Sequence, residues 1–238
     1  MRTQITIRIW GPVRPRPASS TVRPVSQQQH ADPAFRPPQQ ARSRKSLHKV
    51  LTAAERVLAT GGIEEFTVAA VAERAGVSVG AIYRRFTGKE QLLHAVKDQL
   101  LGQLETGVAE ALGSAEPGLD GVVGAFTHAM AHTFSQHDRV FPDLLSGQRA
   151  EGVERGLRAL AVIQEALVEA AEPYGDDIRG ADRGRALRMA ARTIISSCVH
   201  RAATCRSWPD GLSWAEWADE TTEMAMAYLT PSPAATRQ

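Results

Sequence analysis

A chain of 238 residues, 43% of them hydrophobic, is long enough for one or two domains with a sizeable core. Two cysteines, Cys198 and Cys205, and no apolar run of leader or membrane-spanning length exclude a disulfide-built secreted scaffold and a membrane-embedded class. A net charge of +2 conceals an asymmetry: residues 1–100 hold 16 Lys and Arg against 7 Asp and Glu (+9), and the remainder 12 against 19 (−7). A basic leading part on an acidic remainder fits a nucleic-acid reader joined to a domain that does not touch DNA. The expected setting is a reducing cytoplasm with both cysteines as thiols.

In chain order, residues 1–43 are rich in Pro, Arg, Gln and Ser, and such a segment buries too little apolar surface to offset its ordering entropy. A disordered basic tail is expected there, with arginines able to reach phosphates or a minor groove; a passive tail is the alternative. Leu47, Val50, Leu51, Ala54, Val57 and Leu58 then form a helical stripe that Gly61 and Gly62 should end.

The stretch Thr67 to Phe86, TVAAVAERAGVSVGAIYRRF, organises the leading half of the chain. Val68, Val71, Ala72 and Ala75 give one apolar helix face, with Thr67 as N-cap and Gly76 as the left-handed stop. Ser78 is a second N-cap, and Ile82 and Phe86 face inward on a second short helix from about Val79 to Phe86. Helix, glycine turn and helix make a helix-turn-helix, whose second helix enters the DNA major groove. Its outward residues are Val79, Gly80, Ala81, Tyr83, Arg84 and Arg85: small residues for close approach, a hydroxyl, and two forks suited to phosphate or guanine. Lys89 opens a fourth helix, expected to reach about Thr106, at a position that favours a phosphate. Thr67, Tyr83 and Lys89 are expected on the DNA backbone.

Residues 44–100 resemble the DNA-binding domain of tetracycline-repressor-type (TetR family) transcriptional regulators. The resemblance is carried by Ala53, Ala54, Gly61 and Phe66, by Thr67 to Ala72, by Gly76-Val77-Ser78, by Ile82-Tyr83 and Phe86, and by Lys89 to Leu93. Val79 and the pair Arg84-Arg85 depart from residues common in relatives, which concerns the operator sequence and not the fold. The resemblance implies a homodimer on double-stranded operator DNA, with an effector pocket in the remaining domain and a fourth helix that transmits rotation. The expected fold is all-α: a tail at 1–43, a three-helix helix-turn-helix domain at 44–90, a helical effector and dimerisation domain at 91–230, and a short tail at 231–238.

In the second half, Val122 to Phe134, Glu151 to Ala171, Ala181 to Cys205 and Ser213 to Leu229 each read as a helix, with prolines between them. Ala186, Ala190, Ile194, Ser197 and Arg201 face Trp214, Trp217, Met224 and Tyr228 as candidates for a subunit seam, or else close the subunit's own core. Phe126, His128, Met130, Phe134, Phe141, Ile163 and Leu167 are the candidate pocket residues, which would suit an apolar or aromatic effector. His128 and His132 share a helix face, yet no HExxH pattern accompanies them and no metal is expected. No phosphate loop, GxSxG elbow or CxxC pair is present, so no catalytic residue and no cofactor is assigned. The reading is a repressor released from its operator by a small molecule; the alternative is an architectural or adaptor protein of the same fold without ligand response.

Overall fold

The structure is a computed structural model that describes residues 38–146, 150–204 and 207–231. The chain divides into two units, Met1–Pro38 and Gln39–Gln238, and Pro38 apart the described residues belong to the second. The expectation for the leading tail therefore falls outside them up to residue 37, as do Cys205 and nearly all of the tail at 231–238.

The described residues are helical, without a strand. Helix α1 is Pro38–Glu65, α2 is Val68–Ala75, α3 is Val79–Tyr83 and α4 is Lys89–Gly113. After a break at Ser114 to Gly118 come α5 Leu119–Gln136, α6 Phe141–Ser146 and α7 Ala150–Ala171. A 3₁₀ turn, Glu172–Asp177, precedes α8 Arg183–Thr204 and α9 Trp214–Leu229.

Three differences from the sequence expectation have local causes. Helix α1 starts at Pro38, inside the stretch expected to be tail, and continues past the glycines. It breaks only at Gly62, whose φ of 65° and ψ of −170° need a residue without a Cβ. Helix α4 runs on to Gly113 because Leu104 and Val108 extend its buried stripe. Helix α6 and the 3₁₀ turn were not expected: Pro142 lies in the first turn of α6 and Pro173 at the start of the 3₁₀ turn, where the missing N–H costs little.

Helix α5 is the hub of the body, packed by α4, α7, α8 and α9. Its Val123, Phe126 and Met130 are fully buried, and Thr127 hides its hydroxyl by donating to the Val123 carbonyl at 2.9 Å. The same apolar cluster continues through Leu92, Val96 and Leu100 of α4 into Phe66, Val71, Ile82 and Phe86, so body and N-terminal helices share one core. Arg155 of α7 clamps α4, its Nε donating to Asp98 at 2.6 Å and its fork to Glu105 at 2.8 and 3.1 Å. Arg201 of α8 pins the approach to α9 by a fork onto Asp210 at 2.8 and 3.0 Å and a bond to the Leu212 carbonyl. That pairing holds the Asp210 carboxyl down at about 2. Ser213 and Glu216 then close α9 with a reciprocal capping box.

The seam candidates divide. Ala186, Ala190, Ile194, Arg201 and Trp217 are buried within the chain, whereas Met224 and Tyr228, with Met189, remain exposed along α8 and α9.

Phe126 is fully buried in the packing of the hub. Phe126→Ala is therefore expected to lower unfolding free energy by about 3–5 kcal/mol in urea denaturation.

Candidate nucleic-acid interface

Each half of the α2–α3 unit is fixed by its own cap. Thr67 Oγ1 accepts from the Ala70 N–H at 3.0 Å, and Ser78 Oγ from the Ala81 N–H at 3.2 Å. Between them Gly76 takes φ 60° and ψ 44°, its N–H donating to Glu73 at 3.0 Å while the Val77 N–H donates to Ala72 at 3.0 Å. These bonds satisfy the last carbonyls of α2 and set the turn. Val68, Val71, Ala72, Ala75 and Ile82 point inward, as their spacing requires.

The opposite face is open. Val79 is 41% exposed and Tyr83 55%, although both are large apolar bodies that a free surface does not need to show. Ser78, Gly80, Arg84 and Arg85 are exposed beside them and Ala81 is half-buried; a Cβ at Gly80 would meet nothing within 4 Å. Helix α3 is shorter than expected, ending at Tyr83, yet the Arg84 and Phe86 N–H groups still donate to Gly80 and Ile82. The helical turn thus carries Arg84 on the same face.

The two arginines differ. Arg85 Nη2 donates to the Ser43 carbonyl at 3.1 Å and hydroxyl at 2.8 Å, tying the end of α3 to α1. Arg84 has no polar partner among the described residues. Lys89, expected on a DNA phosphate, is half-buried and also serves the fold. Its Nζ donates to the Ile63 carbonyl at 2.8 Å and lies 6.0 Å from the Phe66 ring centre, closing the end of α1.

Residues 50–96 match the family of bacterial regulatory proteins, tetR family. The helix-turn-helix stretch therefore matches the tetR-family DNA-binding domain. The uncharacterized HTH-type transcriptional regulator TtgW of Pseudomonas putida is 27% identical over 139 residues, 58% of this chain and 96% of TtgW. SmeT, the repressor of the Stenotrophomonas maltophilia multidrug efflux pump SmeDEF, has the same fold: TM-score 0.60 at 19% identity, covering 79% of this chain and 91% of SmeT. FadR of Bacillus subtilis, solved in complex with stearoyl-CoA, gives 0.57 at 18% identity over 76% and 98%.

In the body of the chain a cavity of about 200 Å³ opens among α4, α5, α6, α7 and α8. Three of the candidate pocket residues, Met130, Phe134 and Phe141, line it. Phe134 and Phe141 stack with ring centres 4.1 Å apart. Ile163 and Leu167 are fully buried and are not among its described lining residues. His128 sits on the surface, its Nε2 2.9 Å from Asp219 of α9, and His132 contacts Gln136; the two do not act together. Among the described residues no three His, Cys, Asp or Glu side chains group as metal ligands. Sequence reasoning missed Lys97, which lines the cavity with Leu101 and Leu104. Its helical spacing from those leucines, four positions to the first and three more to the second, was the available signal.

A second missed pair lies where the body meets α1. His137, the C-cap of α5, places Nδ1 2.7 Å from Glu55 Oε1, a close polar contact without hydrogen-bond geometry. The two side chains are only 12% and 21% exposed, so the contact is largely shielded from solvent. Its ring also meets Phe141 edge-on at 6.1 Å, so cavity wall, His137 and α1 are contiguous.

Because Lys89 Nζ donates to the Ile63 carbonyl, Lys89→Ala is expected to cost about 1–2 kcal/mol of stability by urea denaturation.

Proposed function

We propose that the chain is a TetR-family transcriptional regulator, a homodimeric repressor released from operator DNA when a small apolar or aromatic molecule enters the cavity. One observation carries the reading: the cavity wall at Phe134 and Phe141 is joined through His137 to Glu55 on α1, the helix that supports α2 and α3. A ligand that repositions Phe141 would bias the angle at which the DNA-facing helices sit, a population shift between two packings.

The DNA contacts proposed are Thr67, Ser78, Val79, Gly80, Ala81, Tyr83, Arg84, Arg85 and Lys89, with Thr67, Tyr83 and Lys89 on phosphates. The open face of α3 and the unpartnered Arg84 support this choice. Met189 at 50% exposure, Met224 at 54% and Tyr228 support a seam formed by α8 and α9 of two copies, since exposed large apolar groups on adjacent helices favour burial by association. The domains proposed for these roles are 44–90 and 91–230. That SmeT is a repressor and that FadR was solved with stearoyl-CoA support repression and ligand binding as capacities of this fold.

Fluorescence-anisotropy titration of operator DNA at several salt concentrations tests the DNA face. Arg84→Ala should weaken binding and reduce the slope of log affinity against log salt by about one per half-site. An unchanged slope and affinity would remove α3 from the interface.

A further inference from the structure

Among the described residues the effector cavity is apolar except for one side chain. Leu101, Leu104, Met130, Phe134 and Phe141 supply its hydrocarbon, and Lys97 is the only charge among the described lining residues. Lys97 is half-buried and has no hydrogen-bond or ion-pair partner among the described residues. Asp98 and Glu105 on its own helix are both held by Arg155. Burial lowers the Lys97 pKa, as expected of an ammonium that has lost water without gaining a counter-charge.

We propose that the cavity takes a single-ring aromatic carboxylate, with the ring against Met130, Phe134 and Phe141 and the carboxylate on the Lys97 ammonium. The proposal rests on the effector role proposed for this cavity and gives that effector its chemical class. Charge is set by Lys97: an anion restores what burial removes, and a charge-assisted bond is stronger than a neutral one. Ring shape is set by the stacked pair Phe134 and Phe141, whose flat wall suits offset or edge-on packing of another ring. Size is set by the volume. An apolar cavity of roughly 150 Å³ accommodates benzene, so about 200 Å³ holds one ring and a carboxylate but not a long acyl chain.

The test is calorimetric titration of the full chain with benzoate, its neutral isostere benzamide, and toluene. Benzoate should bind at least about tenfold tighter than benzamide. Lys97→Met, which keeps the side chain's length, should erase that preference by weakening benzoate alone, and Lys97→Arg should retain it. Leu157→Trp, at a lining position 60% exposed and therefore safe for folding, should block all three ligands. Benzamide binding as tightly as benzoate, benzoate indifferent to Lys97→Met, or no benzoate binding would each overturn the proposal. If toluene still binds and Leu157→Trp abolishes it, the cavity reading survives while the carboxylate falls. If none of the three binds, both fall.

Discussion

The arrangement depends on helix α5 being the element against which the rest of the body is packed. Four helices bury its Val123, Phe126 and Met130, so α5 cannot shift without disturbing α4, α7, α8 and α9. Interiors packed to this density switch between discrete arrangements rather than deform smoothly. The C-terminal end of α5 is where that rigidity meets α1, which supports the helix-turn-helix. There His137 contacts Glu55 on α1, while a Cβ at Gly62 would lie 3.4 Å from Asp143 of α6, so the break in α1 and the start of α6 are also close. A small change at the cavity therefore has a short, buried route to α1, with no need of a rotation transmitted along α4 alone.

Electrostatics reinforce the division of labour. The cations near α3 are used differently: Arg85 and Lys89 are drawn inward to hold α1, leaving Arg84 as the unpartnered fork among the described residues. In the body, Arg155 and Arg201 consume acids in forked pairs that lock helices and a loop. Lys97 contrasts with them, a cation left facing hydrocarbon. Beside such forked structural pairs, a charge without a partner is informative.

Much of the fold was legible because local signals agreed. Thr67, Gly76 and Ser78 cap and turn as their residue types dictate, and the apolar stripe of α2 is buried as spaced. Where the expectation failed, tertiary context decided. Gly62 bends α1 instead of ending it. Lys89 also meets the Ile63 carbonyl, 26 positions away, which no local pattern encodes. The pocket was half legible: Met130, Phe134 and Phe141 line it, but burial alone could not separate them from Phe126, Ile163 and Leu167. His128 looked inward by residue type, yet its position on α5 turns it toward Asp219. The link between His137 and Glu55 joins residues 82 apart in the chain and had no signature in sequence.

The most direct measurement of coupling between cavity and DNA face is operator binding, titrated with and without saturating benzoate, on the wild type and on Glu55→Gln. Benzoate is expected to weaken wild-type operator binding by roughly 5- to 150-fold, and Glu55→Gln to bind benzoate still while losing most of that response. A full response in Glu55→Gln, or tight benzoate binding with no effect on wild-type operator affinity, would contradict the coupling through His137.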